Sequence, residues 1–212
     1  MCGDILHLEN DLRLLEQSGI EYLHCDIMDG HFVPNWMLPP ELINKIRVHT
    51  SIPLDVHIMA ENPEAVIARL ELREGDICSV HVESTPHLQR ALQLVADKGA
   101  LPAVALNPST PIESICEVLP QLYAVVVMTV NPGFSGQKLI PQTLDKITRM
   151  RRWLDANGYH HVRIQVDGNC SMKNAVLMRQ HGADMFVAGT SSIFNADPGI
   201  VKGTQLLREA IQ

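Results

Sequence analysis

No apolar run in this chain approaches the length of a membrane span, and no charged-then-apolar opening segment reads as a signal peptide. Basic runs are absent as well, and the net charge is −7, so nucleic acid is not an expected partner. The five cysteines (Cys2, Cys25, Cys78, Cys116 and Cys170) are scattered, odd in number and without CxxC spacing. They read as reduced thiols of a cytoplasmic protein, most of them packing residues. Linkers, low-complexity segments and shifts of composition are missing too. With 46% hydrophobic and 19% charged residues over 212 positions, the chain suits one sizeable core, and residues 1–212 are expected to form one domain.

What is present is an alternation of short apolar runs with amphipathic stretches. Strands are expected over 21–27, 53–58, 76–82, 102–106, 123–129, 162–167 and 184–188. Most are continuous in Val, Ile, Leu and Ala, as parallel strands covered on both faces are. Helices are expected near 8–18, 39–48, 62–72, 86–99, 111–118, 138–157, 171–181 and 197–211, with Pro63 and Pro111 in first turns. The βα repetition implies α/β architecture, a (β/α)8 barrel of the TIM type first and an open doubly wound sheet second. Met1-Cys2-Gly3-Asp4 cannot supply a strand before the first helix. Seven strands are therefore expected rather than eight, with the first of the barrel missing.

The run His24-Cys25-Asp26-Ile27-Met28-Asp29-Gly30 puts an imidazole and a carboxylate two residues apart on an otherwise apolar strand. Side chains at i and i+2 share a face, so His24, Asp26 and Met28 point together. Burying such groups without a partner is expensive, which points to a metal or a catalytic site. Asp55-Val56-His57-Ile58-Met59 repeats the pattern, and Asp167 ends another strand just before Gly168. The C-terminal strand ends form the active face of a barrel. Two His and two Asp there match the nitrogen and oxygen ligands of one divalent ion, Zn²⁺, Fe²⁺, Mn²⁺ or Co²⁺. His81 and Glu83 share a parity and are weaker candidates, suited to supporting or structural roles. Met28, Met59 and Met128 are either core filler or the apolar wall of a site.

Glycine-rich turns follow the last three strands: Asn131-Pro132-Gly133-Phe134-Ser135-Gly136-Gln137, Gly168-Asn169, and Gly189-Thr190-Ser191-Ser192. Barrels commonly bind phosphate at this corner, and backbone N–H groups can hold an anion without Lys or Arg.

In order and spacing, HCDIMDGHFVPN, DVHIM, ALNPSTP, VVVMTVNPGFSGQ, VDG and GADMFVAGTS closely resemble the ribulose-phosphate 3-epimerase family. The resemblance implies a (β/α)8 barrel that inverts carbon 3 of a ketose phosphate. It assigns His24, Asp26, His57 and Asp167 to the metal and makes Asp26 and Asp167 the acid/base pair. Phosphate would rest on Gly168, Asn169, Gly189, Thr190 and Ser191. The loop Gly133, Phe134, Ser135, Gly136 would close over the sugar, with Met28, His57, Met59 and Met128 beside it. The family's first strand carries Pro-Ser-Leu, and this chain begins where that strand would end. Either the start is set at an internal Met or the barrel lacks strand one; a genuine seven-stranded version would leave unpaired edges, with lower stability and weaker activity expected. The family's usual Asp-Gly-Gly is Asp167-Gly168-Asn169 here, and Asn tolerates positive φ better than most residues.

Ribulose 5-phosphate is the expected substrate and xylulose 5-phosphate the product. Asn169 also resembles the allulose-6-phosphate branch, which keeps that hexose phosphate as an alternative. A binding protein without turnover would not need two opposed acids, and a phosphate-binding lyase would place a Lys at a strand end. The family resemblance also implies a homo-oligomer, and no redox cofactor is expected.

Overall fold

Continuous β-branched runs become strands because their stiff side chains pack well on a pleated surface covered from both sides. The computed structural model describes residues 1–195 and 197–212. Its strands are β1 (Leu23–Asp29), β2 (Trp36–Met37), β3 (Leu54–Met59), β4 (Ile77–His81), β5 (Leu101–Leu106), β6 (Ala124–Met128), β7 (Arg163–Asp167) and β8 (Met185–Phe186). β1 and β3 to β8 run parallel in chain order, and β2 pairs antiparallel with the end of β1. Helices α1 (Leu8–Ser18), α2 (Pro40–Arg47), α3 (Pro63–Arg69), α4 (Leu88–Asp97), α5 (Gln142–Ala156), α6 (Met172–Gln180) and α7 (Gly199–Ile211) alternate with the strands. The result is an α/β barrel with seven parallel strands, in which β8 and β1 do not pair among the described residues. None of the described helices is long and apolar enough to cross a membrane.

The helices cover the outer face of the sheet with regular apolar stripes. On α4, Leu88, Ala91, Leu92 and Val95 recur at helical spacing and pack against outward residues of the strands, Val80 and Val104 among them. Cys25, Ile27, Val56, Ile58, Cys78 and Val80 fill the layer between β1, β3, β4 and their helices. Pro63 sits at the first position of α3, where its missing N–H costs nothing. Ser171 caps α6 by accepting from the N–H of Asn174 at 3.3 Å.

Two elements differ from the expectation. The segment expected as a helix over 111–118 is a 3-10 helix over Ile112–Gln121 that contains Pro120. β2 was not expected, and it exists because Met37 and Trp36 pair with Met28 and Asp29. At the seam α1 packs on α7, and Leu15, Ile193, Ile200 and Leu207 form an apolar cluster there.

At the opposite end of the barrel, Arg47 and Asp76 form an ion pair with side chains only 4% and 1% exposed. Asp76 also accepts from the backbone N–H groups of Leu54 and Arg73, both at 2.8 Å, so it ties α2, β3 and β4 together. Removing one partner leaves the other charge buried and alone. Asp76→Ala is expected to lower the unfolding free energy by about 3–5 kcal/mol in urea titration.

Candidate active site

Register converts the strand pattern into two stacked layers of polar side chains inside the barrel. His24 pairs with Asp55 and Asp26 with His57 across β1 and β3, while β7 contributes Gln165 and Asp167. In the lower layer His24 Nδ1 lies 2.6 Å from Asp55 Oδ2, and Gln165 Nε2 donates to the same oxygen at 2.5 Å. The Asp55 oxygen that accepts from Gln165 accepts here too, so the hydrogen of this contact sits on His24 Nδ1.

The upper layer is the candidate site. His24 Nε2 is 3.3 Å from Asp26 Oδ1, and His57 Nδ1 is 3.4 Å from Asp26 Oδ1 and 3.4 Å from Asp167 Oδ2. One ligand atom from each of His24, Asp26, His57 and Asp167 lies within 4.8 Å of the others. The two histidine atoms, His24 Nε2 and His57 Nδ1, are buried without an aligned hydrogen-bond partner. The other Asp26 oxygen, Oδ2, lies 3.4 Å from the Met1 amine. Two carboxylates and two imidazole lone pairs converging on one point form a donor set that fits a divalent cation.

The charge balance tells the same story. Burial works against a charged His24, but the Asp55 and Asp26 carboxylates outweigh it and hold its pKa well above the usual value. Burial likewise opposes a charged His57, and Asp167 and Asp26 still hold its pKa above normal. Burial would push the Asp26 carboxyl up, yet the neighbouring His24 and His57 keep it well below the usual range. The cluster draws in positive charge.

A cavity of about 580 Å³ opens beside it, lined by His24, Asp26, Met59, Met128 and Asp167 on one side. Gly133, Phe134, Ser135 and Gly136 line its rim, with Gly168, Asn169, Gly189, Thr190 and Ser191. His57, fully buried, stands behind the cavity wall, and Met28 packs with Val33 and Met59 beneath it. Gly168 takes φ +118, and a Cβ there would come within 2.6 Å of Val130 Cγ2, so only glycine fits. Asn169 takes φ +46, as its residue type allows, and its Nδ2 donates to Gln137 O at 2.5 Å. The N–H groups of Thr190 and Ser191 find no acceptor among the described residues. They remain available to an anion.

Gln165 went unrecognised in the sequence, although it shares its strand parity with Asp167. Asp55 was placed on the right face without its role. Glu83 leaves the strand in a 3-10 turn over Val82–Ser84, which brings Oε2 back to 3.1 Å from His81 Nδ1.

The model of the ribulose-phosphate 3 epimerase family matches residues 1–194. The chain belongs to this family. It is 40% identical over 197 residues to the ribulose-phosphate 3-epimerase of Bacillus subtilis, covering 93% of this chain and 91% of that one. To the Methanocaldococcus jannaschii ribulose-phosphate 3-epimerase it is 38% identical over 210 residues, covering 99% and 88%. Among solved structures, KGPDC from Streptococcus mutans superimposes with a TM-score of 0.66 at 12% identity, covering 96% of this chain and 92% of that one. That likeness concerns the fold. Membership of the family makes this chain an isomerase of the epimerase type.

Lys146 of α5 is buried on the outer side of this region. Its Nζ donates to the carbonyl of Asn107 at 2.6 Å, beside Glu83. Burial pushes its pKa down to about 8, against the pull of Glu83. The unfolded chain keeps this proton to about pH 10.5, so the unfolded state binds more protons between about 8 and 10.5. Across that window the stability of the wild type is expected to rise relative to Lys146→Met, as measured by guanidinium titration of both proteins.

Proposed function

We propose that this protein epimerises D-ribulose 5-phosphate to D-xylulose 5-phosphate at C3 through a 2,3-enediolate, with a bound divalent ion, and that residues 1–212 act as one barrel domain. The observation that carries the reading is the convergence of Asp26 and Asp167 with His24 and His57 from three strands, β1, β3 and β7. His24, Asp26, His57 and Asp167 would hold the ion through one atom each. When bound, a divalent cation supplies Lewis-acid stabilisation of the charge that develops on the substrate oxygens.

The residues of the chain account for the rest. A proton beside a ketone is a weak acid, and Asp26 and Asp167 supply one base and one acid for it. Inversion needs one carboxylate as base and one carboxylic acid as proton donor, and reversal of the reaction exchanges their roles. One Asp takes the C3 proton from one face and the other returns a proton to the opposite face. Met59 and Met128 present an apolar wall that keeps water away and the electrostatic interactions strong. The free N–H groups of Thr190 and Ser191, with Gly168, Asn169 and Gly189 alongside, suit the phosphate. The loop Gly133 to Gly136 lines the mouth over the sugar. Its position is held from below, where Asn35 Nδ2 donates to Gly133 O at 2.8 Å.

Incubation with ribulose 5-phosphate in deuterated water, with Zn²⁺, Mn²⁺ or Fe²⁺ in turn, tests the reading. The expected result is deuterium at C3 with inversion, lost on chelation and restored by adding back metal. Asp167→Asn is expected to lower kcat by about 10²–10⁴-fold, the scale of one lost acid or base, while binding of the sugar phosphate persists. Binding by the wild type without exchange at C3 would refute the proposal.

A further inference from the structure

A buried chain of hydrogen bonds leads away from the cluster and has no part in the chemistry described so far. It runs from His57 through His81 to Glu83. His57 Nε2 is 2.9 Å from His81 Nε2, and His81 Nδ1 is 3.1 Å from Glu83 Oε2. Glu83 Oε1 accepts from the N–H of Asn107 at 2.9 Å and from the Thr110 hydroxyl. Both histidines are fully buried, and Phe32 packs on His81 with ring centroids 4.8 Å apart.

We propose that Glu83 is a positioning residue: acting through His81, it fixes His57 with the Nδ1 lone pair turned toward Asp26 and Asp167. The inference deepens the metal-dependent reading above and rests on it for its purpose, though not for its hydrogen-bond polarity.

The polarity follows from counting hydrogens. A carboxylate that already accepts from Asn107 and Thr110 has no proton to give, so the hydrogen between Glu83 and His81 belongs to His81 Nδ1. Burial favours the neutral ring, and a neutral imidazole protonated at Nδ1 has only a lone pair at Nε2. That lone pair faces His57 Nε2, which must then carry the next hydrogen. The two ring planes differ by 23° with centroids 5.0 Å apart, the arrangement of two rings joined edge to edge. A neutral His57 protonated at Nε2 is left with its lone pair at Nδ1, the atom 3.4 Å from Asp26 Oδ1 and from Asp167 Oδ2. His24 reaches the same state in one step, through Asp55. Each clustered imidazole is thus commanded by a carboxylate on its far side, one directly and one by relay.

Nitrogen-15 spectra of the imidazoles, recorded on the metal-free protein and again with Zn²⁺, test this. The expected spectrum shows His81 protonated at Nδ1 with an acceptor Nε2 in both samples, whereas a free neutral histidine favours the opposite form. In Glu83→Gln one of the two contacts must receive an amide N–H₂ in place of an acceptor. His81 is then expected to redistribute toward the Nε2-protonated form, and Zn²⁺ affinity to fall by about 10–100-fold in chelator competition. His81 protonated at Nε2 in the wild type would overturn the inference. That reading needs no variant and survives a Glu83→Gln protein that fails to fold. Glu83→Gln with both tautomer and Zn²⁺ affinity unchanged would overturn it as well. A wild type that shows the expected tautomer and takes up no Zn²⁺ would support the relay and refute the metal-dependent function instead.

Discussion

The open end of this barrel is organised around a surplus of electron pairs held too close together. Four ligand atoms from two carboxylates and two imidazoles lie within 4.8 Å of one another. Two unit negative charges at that separation repel by about 3–4 kcal/mol in a partly screened protein environment. The arrangement is tolerable only with positive charge among them. Protons on the imidazoles supply it in one state, which is why the pKa values of His24 and His57 rise while that of Asp26 falls. A divalent cation supplies it in another. In the proposed reaction the inversion at carbon would draw on the two carboxyl groups, Asp26 and Asp167, that stand in this crowd.

Holding like groups together takes a stiff frame, and the parallel barrel provides one. His24 and Asp26 are carried by six register pairs between β1 and β3, and Asp167 by the five pairs of β7 with β6. The outer faces of these strands are buried against helices by Cys25, Ile27, Val56, Ile58, Ile164 and Val166. A shift of one residue in register would bring those apolar side chains inward and send the clustered His and Asp side chains outward. Core packing and site geometry therefore depend on the same alignment.

Much of this is legible in the sequence because the chemistry repeats at period two. His24-x-Asp26 and Asp55-x-His57 announce inward polar groups on apolar strands, and Asp167-Gly168 announces a strand end with a close-packed turn. Other features are silent for physical reasons. β2 spans two residues and owes its existence to pairing with Met28 and Asp29, so no periodicity can reveal it. The apolar spacing of Ile112, Ile115, Val118 and Leu119 suits either kind of helix, and Pro120, which lacks an N–H, sits within the 3-10 form. The bond between Asp55 and Gln165 joins residues 110 positions apart. Glu83 shares parity with His81 in the sequence but reaches it only by leaving the strand in a tight turn.

The seam between β8 and β1 shows how the site keeps its shape where strand pairing is missing. β1 carries two of the four clustered groups, yet from Leu23 to Ile27 its only strand neighbour among the described residues is β3. Two contacts act in place of the absent ladder. Outside, α1 and α7 pack across the gap through Leu15, Ile200 and Leu207. Inside, Gln165 of β7 donates to the Asp55 oxygen that also holds His24 Nδ1, so one hydrogen-bonded layer spans the barrel from β7 through β3 to β1. That layer lies directly beneath the clustered His and Asp groups. His24 is therefore located by side chains from the two strands that carry His57 and Asp167, and its distance to them is fixed from within the barrel rather than from the sheet edge. The clustered groups are in this way bonded to one another's strands.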